Sequence, residues 1–130
     1  MFKRLTFRRG TIESARFAPD GQTVVYGAAW AGGPVEVFAA RSDSPESRPL
    51  GFPSTELLAL SAKGEMALSL GRRRIGTFVG AGRLARAALA GGVPREVEDG
   101  VQQADWAPDG RTLAVVRTVA GRNRLEFPIG

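Results

Sequence analysis

The chain has 130 residues, of which 43% are apolar, enough for one modest core and too many for wholesale disorder. It contains neither cysteine nor histidine, which excludes disulfides, thiolate chemistry, a His-based catalytic triad and the commonest zinc ligand. The net charge of +5, mostly arginine, bears on solubility and encounter rather than on fold, whereas 17 Gly and 8 Pro require frequent turns and favour many short strands over a few long helices.

The opening residues 1–10 are basic, but no apolar run of the kind found in an export signal follows them. A cytoplasmic location is therefore the default expectation, the alternative being a soluble region of a larger membrane-associated protein. No stretch is long enough to insert in a membrane, since the Ala/Leu-rich run Leu84–Leu89 is interrupted by Arg86.

The first clear turn is Phe17-Ala18-Pro19-Asp20-Gly21, followed by the β-prone Gln22-Thr23-Val24-Val25-Tyr26. Pro19 fixes φ, Asp20 can accept a local backbone hydrogen bond, and Gly21 can take a positive φ without a Cβ clash. Gly32-Gly33-Pro34 then leads into a strand over Val35–Ala40, and Glu46–Leu50 reads as a short, polar edge strand where Pro49 is tolerated. A degenerate turn follows at Leu60-Ser61-Ala62-Lys63-Gly64, with Glu65–Leu70 as its strand, then a strand containing Arg72, Arg73 and Arg74. Gly80–Ala85 reads as a connection between strands, Gly82–Leu89 as a turn entering the next strand, although Leu84–Leu89 taken locally could also be helical, and Pro94–Val97 as a second edge strand. Trp106-Ala107-Pro108-Asp109-Gly110 repeats the first turn and is followed by the β-prone Arg111–Val116 and by Asn123–Phe127. Alternation predicts that Val35, Val37, Leu125 and Phe127 face apolar surroundings while Glu36 and Glu126 face away from them.

The glycines of the three turns, Gly21, Gly64 and Gly110, stand 43 and then 46 residues apart. That spacing matches the roughly 40–45-residue period of a four-stranded propeller blade. The predicted fold is all-β: a partial β-propeller of about two and a half to three four-stranded antiparallel blades. Residues 1–10 are assigned to the outer strand of a preceding blade and a connector, 11–54 to the first blade, 55–98 to a second, degenerate blade, and 99–130 to an incomplete third. The aromatic before each turn, Phe17 or Trp106, is expected to pack between neighbouring blades.

The segments Phe17–Tyr26 and Trp106–Val116 resemble the WD-like, Pro-Asp-type repeats of bacterial propellers, including Tol-type periplasmic proteins, peptidase propellers and C-terminal regions of bacterial serine/threonine kinases. The run Ser14–Leu50 and residues 121–130 are most similar to the kinase-attached kind. The middle repeat departs from the pattern, with Ala62-Lys63 in place of Pro-Asp. This resemblance implies a sensor or protein-interaction module, within a larger signalling kinase or, alternatively, as the propeller portion of a peptidase or other hydrolase. Closed propellers take roughly 4 to 8 blades, so three readings stay open: a segment of a longer chain, a truncated and nonfunctional fragment, or a protein that closes by self-association. The expected partners are a protein or additional blades.

Gly80-Ala81-Gly82-Arg83-Leu84-Ala85 has the glycine spacing of a dinucleotide-binding loop, but that loop must open a helix within a parallel βαβ unit, which the repeat register disfavours. Arg72, Arg73 and Arg74 are candidate contacts for an anion or acidic partner. Adjacent strand residues point to opposite faces, however, so they do not automatically form one patch, and no specific nucleic-acid binding is expected. The carboxylates offer no convincing catalytic pair, and no serine lies in Gly-x-Ser-x-Gly. The chain is therefore expected to be noncatalytic, with no cofactor and no metal.

Overall fold

A computed structural model of the chain describes residues 4–44, 46–74 and 80–128. Strands β1 (Gly10–Phe17), β2 (Thr23–Trp30), β3 (Val35–Arg41) and β4 (Ser47–Pro49) form one antiparallel sheet in sequence order. A second sheet follows, also antiparallel and in sequence order, with β5 (Thr55–Leu60), β6 (Glu65–Arg74), β7 (Gly80–Ala88), β8 (Arg95–Trp106), β9 (Leu113–Val119) and β10 (Arg122–Glu126). There is no helix among the described residues, and none long and apolar enough to cross a membrane.

The larger sheet is two units that share a strand. The first half of β8 pairs with β7, as in Arg86 with Arg95 and Leu84 with Glu98, and its second half pairs with β9, as in Trp106 with Leu113. The two pairings meet at Val101, beside Gly100. Gly100 has a φ of 67°, and a Cβ there would stand 2.8 Å from the Thr118 carbonyl oxygen, so the bend requires glycine on both counts. The sequence predicts an edge strand at 94–97; the strand observed there, β8, runs on unbroken to Trp106, so a single strand serves both units.

β5 touches β1 on one side and β8 on the other, which gathers the first strand of each unit on the inner side of the stack. In β2 and β3, alternate side chains go to opposite faces, and both faces are buried, unlike a sheet with one wet side. Val25 and Val37 meet Leu57, Met66, Leu68 and Ala85 between the first and second units. On the far face of the second unit, Leu58, Ala67 and Leu84 meet Val101, Trp106, Leu113 and Val115 of the third. Each fully buried Val, Leu or Met side chain contributes roughly 1.5–3 kcal/mol, and the alanines between them let the sheets approach closely. This is the all-β, partial-propeller arrangement that the repeat predicts.

Two expectations about side-chain direction are corrected. Glu126 is buried, whereas Leu125 and Phe127 are 79% and 64% exposed. Glu126 lies opposite Val115, on the face turned toward the second unit, and its carboxylate is held by Arg117 at 3.2 Å and Arg124 at 3.4 Å. Arg117 also reaches Glu98 at 3.0 Å, so ion pairing rather than apolar packing sets the register of β10. Phe17 is likewise 70% exposed rather than packed between units, because its face of β1 is the one turned away from the second unit.

Candidate functional site

The two Pro-Asp-Gly turns are built alike. Gly21 N–H donates to the Ala18 carbonyl at 3.0 Å and Gly110 N–H to that of Ala107 at 2.9 Å, and both glycines have a φ of 70°. Asp20 accepts from the backbone N–H groups of Gln22 and Thr23, each at 2.8 Å, and from the Thr23 hydroxyl at 2.8 Å. Asp109 accepts the same three bonds from Arg111 and Thr112. The two backbone donors and then the Thr23 hydroxyl hold the Asp20 carboxyl down at about 2, against an ordinary 3.8, and the equivalent bonds lower that of Asp109. Pro19 and Pro108 are both exposed. The turn thus engages both oxygens of each aspartate, and Asp20 in addition pairs with Arg41 at 3.5 Å.

The middle turn reaches the same end by another route. Ser61 Oγ accepts from the N–H groups of Lys63 at 3.1 Å and Glu65 at 3.0 Å, and Gly64, with φ 81°, donates to the Ser61 carbonyl. The backbone closure runs from Ser61 to Glu65, one residue shorter than Ala18 to Thr23 or Ala107 to Thr112. Sequence reasoning missed Ser61; the available signal was a hydroxyl residue three positions before the turn glycine.

Trp106 is 9% exposed and packs on the second unit, with the Arg86 guanidinium 4.8 Å from its ring centroid. Arg86 in turn is ion-paired with Glu65. Nothing in the spacing of these residues marks them as a group, because the contact spans two units.

The three consecutive arginines do not form one patch. Arg72 turns inward, with its Nε 3.1 Å from Glu56 and its Nη1 donating to the Gln102 carbonyl at 2.9 Å, which ties the second unit to the third. Burial pushes the Glu56 carboxyl up, an effect offset in part by Arg72 and reinforced by Glu13. Arg73 is exposed, and the side chain of Arg74 lies outside the described residues.

The glycine-spaced stretch at 80–85 is already part of strand β7 rather than a connection, with Gly82 opposite Val101 and Leu84 opposite Ser69. No helix follows it, so its amides are spent on sheet pairing and a pyrophosphate cradle is excluded. Among the described residues, no group of three or more acidic side chains is placed to hold a metal.

What the fold does create is a groove between the outer parts of the first and second units. One cavity of about 710 Å³ has Leu50, Phe52, Met66 and Leu70 in its lining and Arg48 and Arg83 beside them. A second, of about 660 Å³, shares Arg48 and Ala88–Ala90 with the first and adds Arg41 and Lys63. Together they make a partly apolar trough in which Arg48 and Lys63 stand with Asp20 and Glu46, Arg41 is paired with Asp20 and Asp43, and Arg83 is paired with Glu96. Its residues come from β3, β4, the 50–54 connection, β6, β7 and the turns that follow β1, β5 and β7, which is why no single motif announces it.

No family model and no curated protein matches the chain. Among solved structures it is similar to TolB from Acinetobacter baumannii, with a TM-score of 0.74 and 18% identity over 96% of this chain and 31% of that one. The chain thus spans less than a third of that neighbour's length. At this identity the likeness shows the fold alone, a Tol-like propeller.

Proposed function

We propose that the chain is a noncatalytic interaction module that holds an extended segment of a partner protein, carrying both acidic and apolar residues, in the groove between its first and second units. The observation behind this reading is the trough itself, whose lining includes Leu50 and Phe52, half-buried against the core, with Arg48 supplying positive charge and Arg83 paired with Glu96 beside them. Apolar anchors give affinity and the cationic side chains favour an acidic register and a faster encounter. The resemblance of Ser14–Leu50 to kinase-attached propellers supports a place beside a signalling kinase, where such binding would act as a sensor or scaffold.

A peptide-display selection on the immobilised chain tests this. Acidic-apolar sequences should be enriched, and the selected peptides should lose at least tenfold in affinity on Phe52→Asp and less on Arg48→Glu. Failure to enrich any sequence class, or enrichment indifferent to both substitutions, would rule out the groove as the binding site.

A further inference from the structure

The turn between β7 and β8, residues 89–94, runs along the groove between the first and second units, where Gly91, Gly92, Val93 and Pro94 face the same cavity as Leu50 and Phe52. It is longer than a tight hairpin needs, and it is held unevenly. Leu89 packs against the core between the two units, its N–H donating to the Gly64 carbonyl at 2.8 Å, and Gly91 N–H donates to the Ala88 carbonyl at 3.1 Å. Past that point, no backbone hydrogen bond among the described residues holds Gly92 or Val93.

The residue types give this turn a hinge and a stiff tip. Gly91 and Gly92 have φ of 128° and 120°, a region that residues with a Cβ avoid, yet a Cβ at either would meet nothing within 4 Å. Glycine therefore supplies backbone freedom there, not space for a close neighbour. Pro94 fixes its own φ and confines Val93 to extended geometry, so the Val93-Pro94 pair moves as one piece. That piece carries an apolar side chain that is 91% exposed, at the lip of a cavity whose Leu50 and Phe52 are half-buried against the core. Apolar surface on both sides favours their contact, and with no backbone hydrogen bond to break at Gly92 or Val93, little opposes it.

We propose that the 89–94 turn is a flap that closes the groove, swinging about Gly91 and Gly92 from the open position of this structure to one in which Val93 rests on Leu50 and Phe52. The chain's own turn then occupies the groove, and a partner segment enters by displacing it. Val93 competes with the partner instead of contacting it, so the affinity of the groove is lowered in proportion to the share of molecules that are closed. The regulatory role rests on the groove being the binding site, as proposed above, whereas the movement does not.

Nuclear magnetic resonance on the purified chain with methyl-labelled valine is the test. Closure places the Val93 methyl groups against the Phe52 ring. They should be shifted upfield, show cross-relaxation with the Phe52 ring protons, and return to the positions of an exposed valine in the conservative variant Phe52→Leu. Val93→Ser, a change at an exposed position, should leave the fold intact and bind the acidic-apolar peptides selected by display about twofold or more tightly, the reverse of Phe52→Asp. Val93 methyl groups at exposed-valine positions without cross-relaxation to Phe52 overturn the flap, as does an unchanged or weakened peptide affinity in Val93→Ser. The resonances are read with no peptide present, so the flap can fail while the groove still selects peptides, and a selection that returns nothing overturns the groove without touching the resonances.

Discussion

The first and third units carry the same turn and the same aromatic position, yet Phe17 is 70% exposed and Trp106 only 9%. Local chemistry is not the cause, since the turns match bond for bond at Asp20 and Asp109. The difference lies in what stands across from each ring. Trp106 has Leu58, Ala67 and Leu84 of the second unit against it, while Phe17 faces away from the second unit. A repeat thus prepares an aromatic for burial, and a neighbouring unit completes it.

The sharpest way to break this comparison is to truncate both rings. Trp106→Ala is expected to cost about 3–5 kcal/mol in urea unfolding, whereas Phe17→Ala in dilute solution should stay within about 0.5 kcal/mol of the parent. Equal losses at the two positions would mean that Phe17 is buried after all.

A smaller effect separates the two turns. Gly21→Ala and Gly110→Ala each force a residue with a Cβ to φ 70°, which costs roughly 1–2 kcal/mol. Gly110→Ala should cost more, because a Cβ there meets Lys63 Cγ at 2.9 Å while nothing lies within 4 Å of one at Gly21. Chemical denaturation of the two variants side by side checks the order, and the reverse ranking would show that Lys63 does not restrain the turn.

The smallest effect is one of pH. The Asp20 carboxyl is lowered from 3.8 to about 2 on folding, so its contribution is fully present above about pH 4 and is lost as pH falls through about 2. Asp109 is shifted in the same direction by the same kind of bonds. The urea midpoint should fall across that window, and an Asp20→Asn/Asp109→Asn variant should show a shallower fall. Parallel curves would mean that the turn aspartates do not couple to folding.

The middle turn shows why the fold was more legible than the site. Ala62-Lys63 looks like a lost signature, but the turn needs an oxygen aimed at two backbone N–H groups, and Ser61 supplies one with a closure one residue shorter. Conversely, the arginine run that stood out in sequence dissolves in space, since Arg72 turns inward to Glu56 while Arg73 stays in solvent. The groove had no sequence signal, because Leu50, Met66 and Arg83 become neighbours only when two units stack.

By itself, the sequence determined the class of fold, the repeat period and the turns, because glycine positions and apolar alternation act over a few residues and need no distant partner. Tertiary structure alone decided which prepared surfaces were buried. Glu126 entered the interior because Arg117 was there to neutralise it, Leu125 was turned outward by the same register, and β8 became a single strand because Gly100 could bend against Thr118. Each of those outcomes depends on a contact across paired strands, Arg117 with Glu126 and Gly100 with Thr118, whose free energy exists only once the strands of the third unit have paired.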